Sequence, residues 1–145
     1  MSVSDVAAEA MGVDSVPAQL SLFLAFDYGL KRTGVASGNR LTRTATAQAS
    51  IHAEGQARWP QLATQIAQWQ PDALVVGVPL HPDGAEHENT HRARRFARQL
   101  RGRFGLPVFE VDERYSTSEA HADGARDADA AAAAIILEQF LRSLP

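Results

Sequence analysis

Residues 20 to 26 read LSLFLAF, an almost unbroken apolar run that stops at Asp27-Tyr28-Gly29. A short run without alternation predicts a central strand buried on both faces. Downstream, TGVAS (33 to 37) and RLTRTATAQAS (40 to 50) flank Gly38-Asn39. That dipeptide predicts a two-residue turn of the II′ kind, hence an antiparallel hairpin. Trp59, Leu62, Ile66 and Trp69 then recur at helical spacing, with Pro60 near the first turn and Pro71 just past the end; this predicts one amphipathic helix. ALVVGVPL (73 to 80) is a second buried strand, closed by the turn His81-Pro82-Asp83-Gly84. A second helix over residues 87 to 103 would bury Ala93, Phe96, Ala97, Leu100 and Phe104 on one stripe. PVFEVDER (107 to 114) predicts a third central strand, Ser116-Thr117-Ser118-Glu119 a capping box opening a short helix, and Asp127 to Leu141 the last helix.

The order β, β-hairpin, α, β, α, β, α predicts an α/β fold. Its mixed five-stranded sheet has parallel central strands and an antiparallel hairpin, with helices packed on both faces. Residues 1 to 20 show no apolar period and read as a flexible extension, which leaves residues 21 to 145 as the domain. Ligands of open α/β sheets bind beyond the carboxyl ends of the strands, so the residues just after the apolar runs matter most.

Composition narrows the chemistry. The 145 residues suit one domain, and the absence of cysteine removes disulfides, thiolate nucleophiles and Cys-ligated zinc. No basic and apolar leader opens the chain, and no apolar stretch approaches the roughly 20 residues that span a bilayer. A cytoplasmic protein without membrane contact is expected. The net charge of −3 argues at first against a nucleic-acid partner. Residues 1 to 19, however, hold Asp5, Glu9 and Asp14 and no base, so the remainder is neutral. Its cations are 13 Arg and the single Lys31, a bias toward the side chain that grips phosphate bidentately.

Carboxylates fall at three strand or helix ends. Asp27 ends the first strand. Asp112 and Glu113 end the third, and alternation lets only one of them share a given face. In the last helix Asp129, Ala132, Ala133, Ile136 and Phe140 form one stripe, which puts Asp129 on the sheet-facing side, while Asp127 suits an N-cap. Asp27, Glu113 and Asp129 brought together would make an all-oxygen site for Mg²⁺ or Mn²⁺, the kind that supports phosphodiester hydrolysis.

FDYGLKRTGVA (26 to 36), VVGVPLHPDG (75 to 84), RRFARQLRGRFGLPVFEVDERYST (94 to 117) and DADAAAAAIIL (127 to 137) together resemble the YqgF family. Its members are described as pre-16S rRNA nucleases and also as Holliday junction resolvases. The resemblance covers residues 21 to 142 and implies an RNase H-like fold. It also implies a metal-dependent endonuclease that processes the 5′ end of pre-16S rRNA, with resolution of branched DNA as the alternative. The family's acidic residues map by motif onto Asp27, Glu113 and Asp129. Lys31, Arg32 and Arg114 become candidate phosphate contacts, and a pre-ribosomal particle a candidate partner. Tyr115, in place of the more usual aliphatic residue, and the lack of proline after the hairpin depart from the family pattern without touching these acids.

Between His91 and Arg103 there are six arginines and no acid. Arg94, Arg98 and Arg101 share one flank of the predicted helix, a candidate surface for structured nucleic acid. His87-Glu88-Asn89-Thr90-His91 spells the HExxH zinc signature, but no third ligand is evident nearby and a zinc site is not expected. Two other classes remain: a non-catalytic nucleic-acid-binding module, which would not need three acids, and an ATP phosphate loop at Asp27 to Arg32, which would need a second domain.

Overall fold

The computed structural model describes residues 16–113 and 127–145. Five strands, β1 (Leu22–Tyr28), β2 (Thr33–Asn39), β3 (Ala45–Ile51), β4 (Ala73–Pro79) and β5 (Val108–Glu113), form one sheet in the order β3-β2-β1-β4-β5. β1, β2 and β3 pair antiparallel, and β4 and β5 extend β1 in parallel. Three helices, α1 (Arg58–Trp69), α2 (Glu88–Phe104) and α3 (Ala128–Ser143), cover it. The capping box at Ser116, Arg114 and residues 1–15 lie outside the described residues.

Alternation along the strands builds two cores. Leu24 and Phe26 of β1, Leu74 and Val76 of β4 and Val108 of β5 pack with Trp59 and Leu62 of α1 and with Phe96 and Leu100 of α2. On the other face Phe23, Ala25, Val75 and Phe109 meet Ile136, Leu137 and Phe140 of α3. Phe140 stacks on Phe109 at 5.6 Å and meets Phe23 edge-on at 5.2 Å, arrangements that aromatic quadrupoles favour.

Two local expectations change. Gly38-Asn39 is no turn: both residues belong to β2, opposite Phe23 and Leu22 of β1. The chain reverses instead over residues 40–44. Asn39 Oδ1 accepts from the Thr42 backbone N–H at 3.0 Å and Arg43 takes φ 56°, so the polar loop supplies its own reversal. The position requires glycine, because a Cβ there would lie 2.6 Å from the Thr44 carbonyl and 3.0 Å from Leu137 of α3. The second change concerns residues 16–20, read from sequence as part of the extension. Val16 is buried with Phe140 in the α3-side core, and the Arg40 guanidinium donates to the carbonyls of Pro17 and Leu20 at 2.7 and 3.0 Å.

Candidate active site

β1 continues through Asp27 and Tyr28, two residues past the end of the apolar run, so Asp27 is a strand residue with a fixed side. By alternation it follows Phe23 and Ala25 to the α3 face. Glu113 follows Phe109 and Val111 to the same face, whereas Glu110 turns the other way and meets Arg94 and Arg101 of α2. The choice between Asp112 and Glu113 is thereby settled by geometry: Glu113 is buried beside Asp27, and Asp112 is exposed.

The Asp27 and Glu113 carboxyls are hydrogen-bonded to each other. Burial, then the charge and hydrogen bond of Glu113, then the charge of Asp129, push Asp27 well above the ordinary carboxylate range. Asp129, in the first turn of α3, stands near enough to be felt, but its own carboxylate turns to Arg32, Nε to Oδ2 2.9 Å. Among the described residues no three His, Asp or Glu side chains are already gathered as a metal cluster. The site therefore consists of a contacting carboxyl pair with a third carboxylate held beside it by an exposed arginine.

Two glycines that drew no attention in the sequence make this approach possible. Gly34, opposite Asp27 in the β1–β2 ladder, lies under the start of α3, where a Cβ would stand 1.9 Å from the Asp129 carbonyl oxygen. At Gly77 of β4 a Cβ would stand 2.8 Å from a Glu113 carboxylate oxygen and 2.4 Å from Ile136. Glycine inside a strand often marks such a close approach, and that was the available signal.

Arg58 is the other residue missed. It is 2% exposed, and its guanidinium donates to the carbonyls of Gly29 and Leu30 (both 2.9 Å), to Thr33 Oγ1 (2.8 Å) and to the Gly55 carbonyl (3.3 Å). It also lies 4.3 Å from the Tyr28 ring centroid. Its hydrogen-bond partners are carbonyls and a hydroxyl rather than carboxylates, and burial lowers its pKa. The charge is dissolved by loop carbonyls instead, which fixes the β1–β2 connection that carries Lys31 and Arg32. Both of those side chains are exposed at the edge of the acid site.

The arginine flank of α2 is less bare than its own segment suggests. Arg94 pairs with Glu86 at 2.5 Å and with Glu110 at 3.6 Å, and Arg101 pairs with Glu110 at 3.5 Å and donates to the Val108 carbonyl. The balancing acids come from the preceding loop and from β5, which a helix-only count cannot see. Arg98 is exposed and makes no ion pair among the described residues. His87 of the HExxH string is the N-cap of α2: Nδ1 accepts from the Asn89 N–H at 3.2 Å, and its own N–H donates to Thr90 Oγ1 at 3.1 Å. Its ring packs on His81, and His91 turns to Glu86.

A family model described as RuvX, Holliday junction resolvase, matches residues 21–143. The chain belongs to the RuvX family. A relative in Polaromonas sp. strain JS666 is 69% identical over 138 residues, 93% of this chain and 100% of its own length. One in Albidiferax ferrireducens is 72% identical over 129 residues, 89% of this chain and 83% of its own. Each is named "Putative pre-16S rRNA nuclease". Among solved structures, Thermus thermophilus RuvC in complex with a Holliday junction substrate superposes with a TM-score of 0.53 at 13% identity, over 84% of this chain and 94% of that one. The likeness shows the fold of this RuvX-family chain to be RNase H-like. Among the described residues no helix is long and apolar enough to cross a membrane.

Proposed function

We propose that this RuvX-family chain is an endonuclease that hydrolyses phosphodiester bonds in structured nucleic acid, with the 5′ end of pre-16S rRNA as its substrate. The observation that carries the reading is the carboxyl pair Asp27–Glu113, with Asp129 alongside, at the carboxyl edge of the sheet.

The donor set fits a hard cation. All candidate ligands are carboxylate oxygens, the preference of Mg²⁺ and Mn²⁺. Two buried carboxyls in contact cannot both ionise cheaply without a cation. Asp27, Glu113 and Asp129 would hold the ion or ions, which supply a nucleophile at neutral pH and charge stabilisation at phosphorus. The residues of the chain do the rest. Loss of the Asp27 proton readies the pair for a cation, release of Asp129 from Arg32 brings in the third oxygen donor, and Arg32 so released is free for a phosphate oxygen. Lys31 stands next to it in the loop that Arg58 fixes. Arg98 and, in competition with their carboxylate partners, Arg94 and Arg101 would meet the backbone farther along the strand. Arg114 is assigned to phosphate from its motif alone.

The test offers purified protein a 16S precursor RNA with its 5′ extension and, separately, a four-way DNA junction, with Mg²⁺, with Mn²⁺ and with EDTA. Cleavage of the RNA only with metal, abolished in Asp27→Asn, is the expected result. Junction cleavage with intact RNA would move the substrate to branched DNA. Cleavage unaffected by EDTA or by Asp27→Asn would refute the mechanism.

A further inference from the structure

Tyr28 follows Asp27 in β1, so it points to the opposite face of the sheet. There, beyond the same strand ends, a cleft of about 220 Å³ opens between the β1–β2 connection and α2. Its walls include Tyr28, Leu30, Arg58, Trp59, Arg92 and Arg95, and among the described residues no acidic side chain lines it. Arg95 is exposed and makes no ion pair among the described residues. Arg92 donates to Asn89 Oδ1 at 3.0 Å and pairs with the exposed Glu88, one helical turn back, an ion pair that water and salt weaken readily. Leu30 is 53% exposed, one of two large hydrophobic side chains left uncovered among the described residues. The amides of Gln56 and Gln99 complete the lining.

An apolar floor, amide groups and a cationic rim, with Arg95 free of ion pairs among the described residues and Arg92 held by an exposed one, complement a ligand that is flat and apolar on its faces, polar at its edge and anionic at one end. A nucleotide has that character. The volume is below the range of pockets for drug-sized ligands, roughly 300–1,000 Å³, which restricts the occupant to a single base. A base in a duplex is stacked and paired on its polar edge, so only an unpaired one can enter.

We propose that this cleft takes one unpaired nucleotide of the strand being cut, its base against Leu30 and Tyr28 and its phosphate on Arg95 and Arg92. The inference rests on the reading of the chain as a nuclease and specifies what that nuclease recognises: a strand that carries an unpaired residue next to the cleavage point. Asp27 and Tyr28 are consecutive, about 3.3 Å apart along the strand, so a nucleic-acid strand crossing the end of β1 reaches the acids on one side and the cleft on the other.

The test separates the two readings by measuring binding without catalysis. Full-length protein in EDTA is titrated with a short fluorescein-labelled oligouridylate, with the corresponding oligothymidylate and with a fully paired duplex. Both single strands should bind more tightly than the duplex, and the difference between them tells RNA from DNA. Arg95→Glu, on the exposed surface of α2, should weaken single-strand binding about tenfold while the thermal melt is unchanged. A 4-thiouridine placed in the oligonucleotide should cross-link to the peptide carrying Tyr28 and Leu30. Unaltered affinity in Arg95→Glu, or cross-links confined to other peptides, overturns the proposal even if the protein cleaves RNA with metal. Cross-linking in the cleft by a protein that cleaves nothing with any metal would sustain the cleft and refute the nuclease.

Discussion

Replacing Gly34 with alanine adds one methyl group, and the structure states where it must go. The new Cβ would sit 1.9 Å from the Asp129 carbonyl oxygen, 2.3 Å from its carbonyl carbon and 3.0 Å from the Ala130 nitrogen, where ordinary contact starts at 3.4 Å. All three neighbours are backbone, so no side chain can swing aside. The first turn of α3 has to retreat by about 1.5 Å, the shortfall at the closest atom. Overpacking of this kind costs about 1–3 kcal/mol, and backbone against backbone belongs at the upper end. For a chain of this size that is a loss of roughly 5–10 °C in Tm. The functional cost should be larger, because Asp129 travels with the turn and a displacement of about 1 Å at a catalytic group can cost about a hundredfold. Gly102→Ala is the matched control: it lies in α2 with nothing within 4 Å of its Cβ, and helix propensity predicts a gain of about 0.5–1 kcal/mol. Calorimetry and a metal-dependent cleavage assay on both variants decide the matter. A Gly34→Ala protein that melts and cleaves like the parent would refute the claim that glycine sets the distance between α3 and the sheet.

Other outcomes test separate parts of the site. In metal-free protein the folded Asp27 holds its proton beyond the ordinary value of 3.8, so its contribution favours the fold below that pH and is lost as pH rises toward the raised folded value. Asp27→Asn should therefore be more stable than the parent in EDTA at pH 7, with the gain shrinking toward pH 4. Urea unfolding across that range checks the sign, and a destabilised variant at pH 7 would reverse it. Arg58→Met should cost about 1–3 kcal/mol, because it leaves the buried Thr33 hydroxyl and the part-buried carbonyls of Gly29 and Leu30 without their donor. Arg58→Lys should recover little, since an ammonium cannot span partners arranged around a planar fork; denaturant midpoints measure both. His87→Ala should lose about 1 kcal/mol through the missing N-cap of α2, and metal-dependent cleavage should persist; dependence on added zinc would restore the HExxH reading.

Burial made most of the sheet legible in the sequence. β1 and β4 are apolar on both sides because helices cover both faces, and the periodic stripe of α3 placed Asp129 toward the sheet before any coordinates. Conflicts of partner were harder. Glu113 and Asp112 are equivalent in a string of letters, and only the position of Phe109 against α3 tells which one shares the Asp27 side. Gly38-Asn39 carries a strong local turn signal, which the pairing with β1 overrides. Arg58 left no trace because its partners are mostly backbone carbonyls, which every residue has, with the Thr33 hydroxyl the one side chain among them. The balance of Arg94 and Arg101 depends on Glu110, which lies on a neighbouring strand and outside any helical window.

The contact between Gly34 and Asp129 joins an early strand to the last helix across nearly a hundred residues of chain. Glu113 arrives between them, and Phe140 in the same helix closes the core beneath. A chain still emerging from the ribosome thus has Asp27 exposed to water, with ordinary acidity and no companions. Under the proposed mechanism it would neither gather a cation nor break a phosphodiester until α3 has been made and docked. On that reading the order of assembly would keep the newborn protein from cutting the RNA around it.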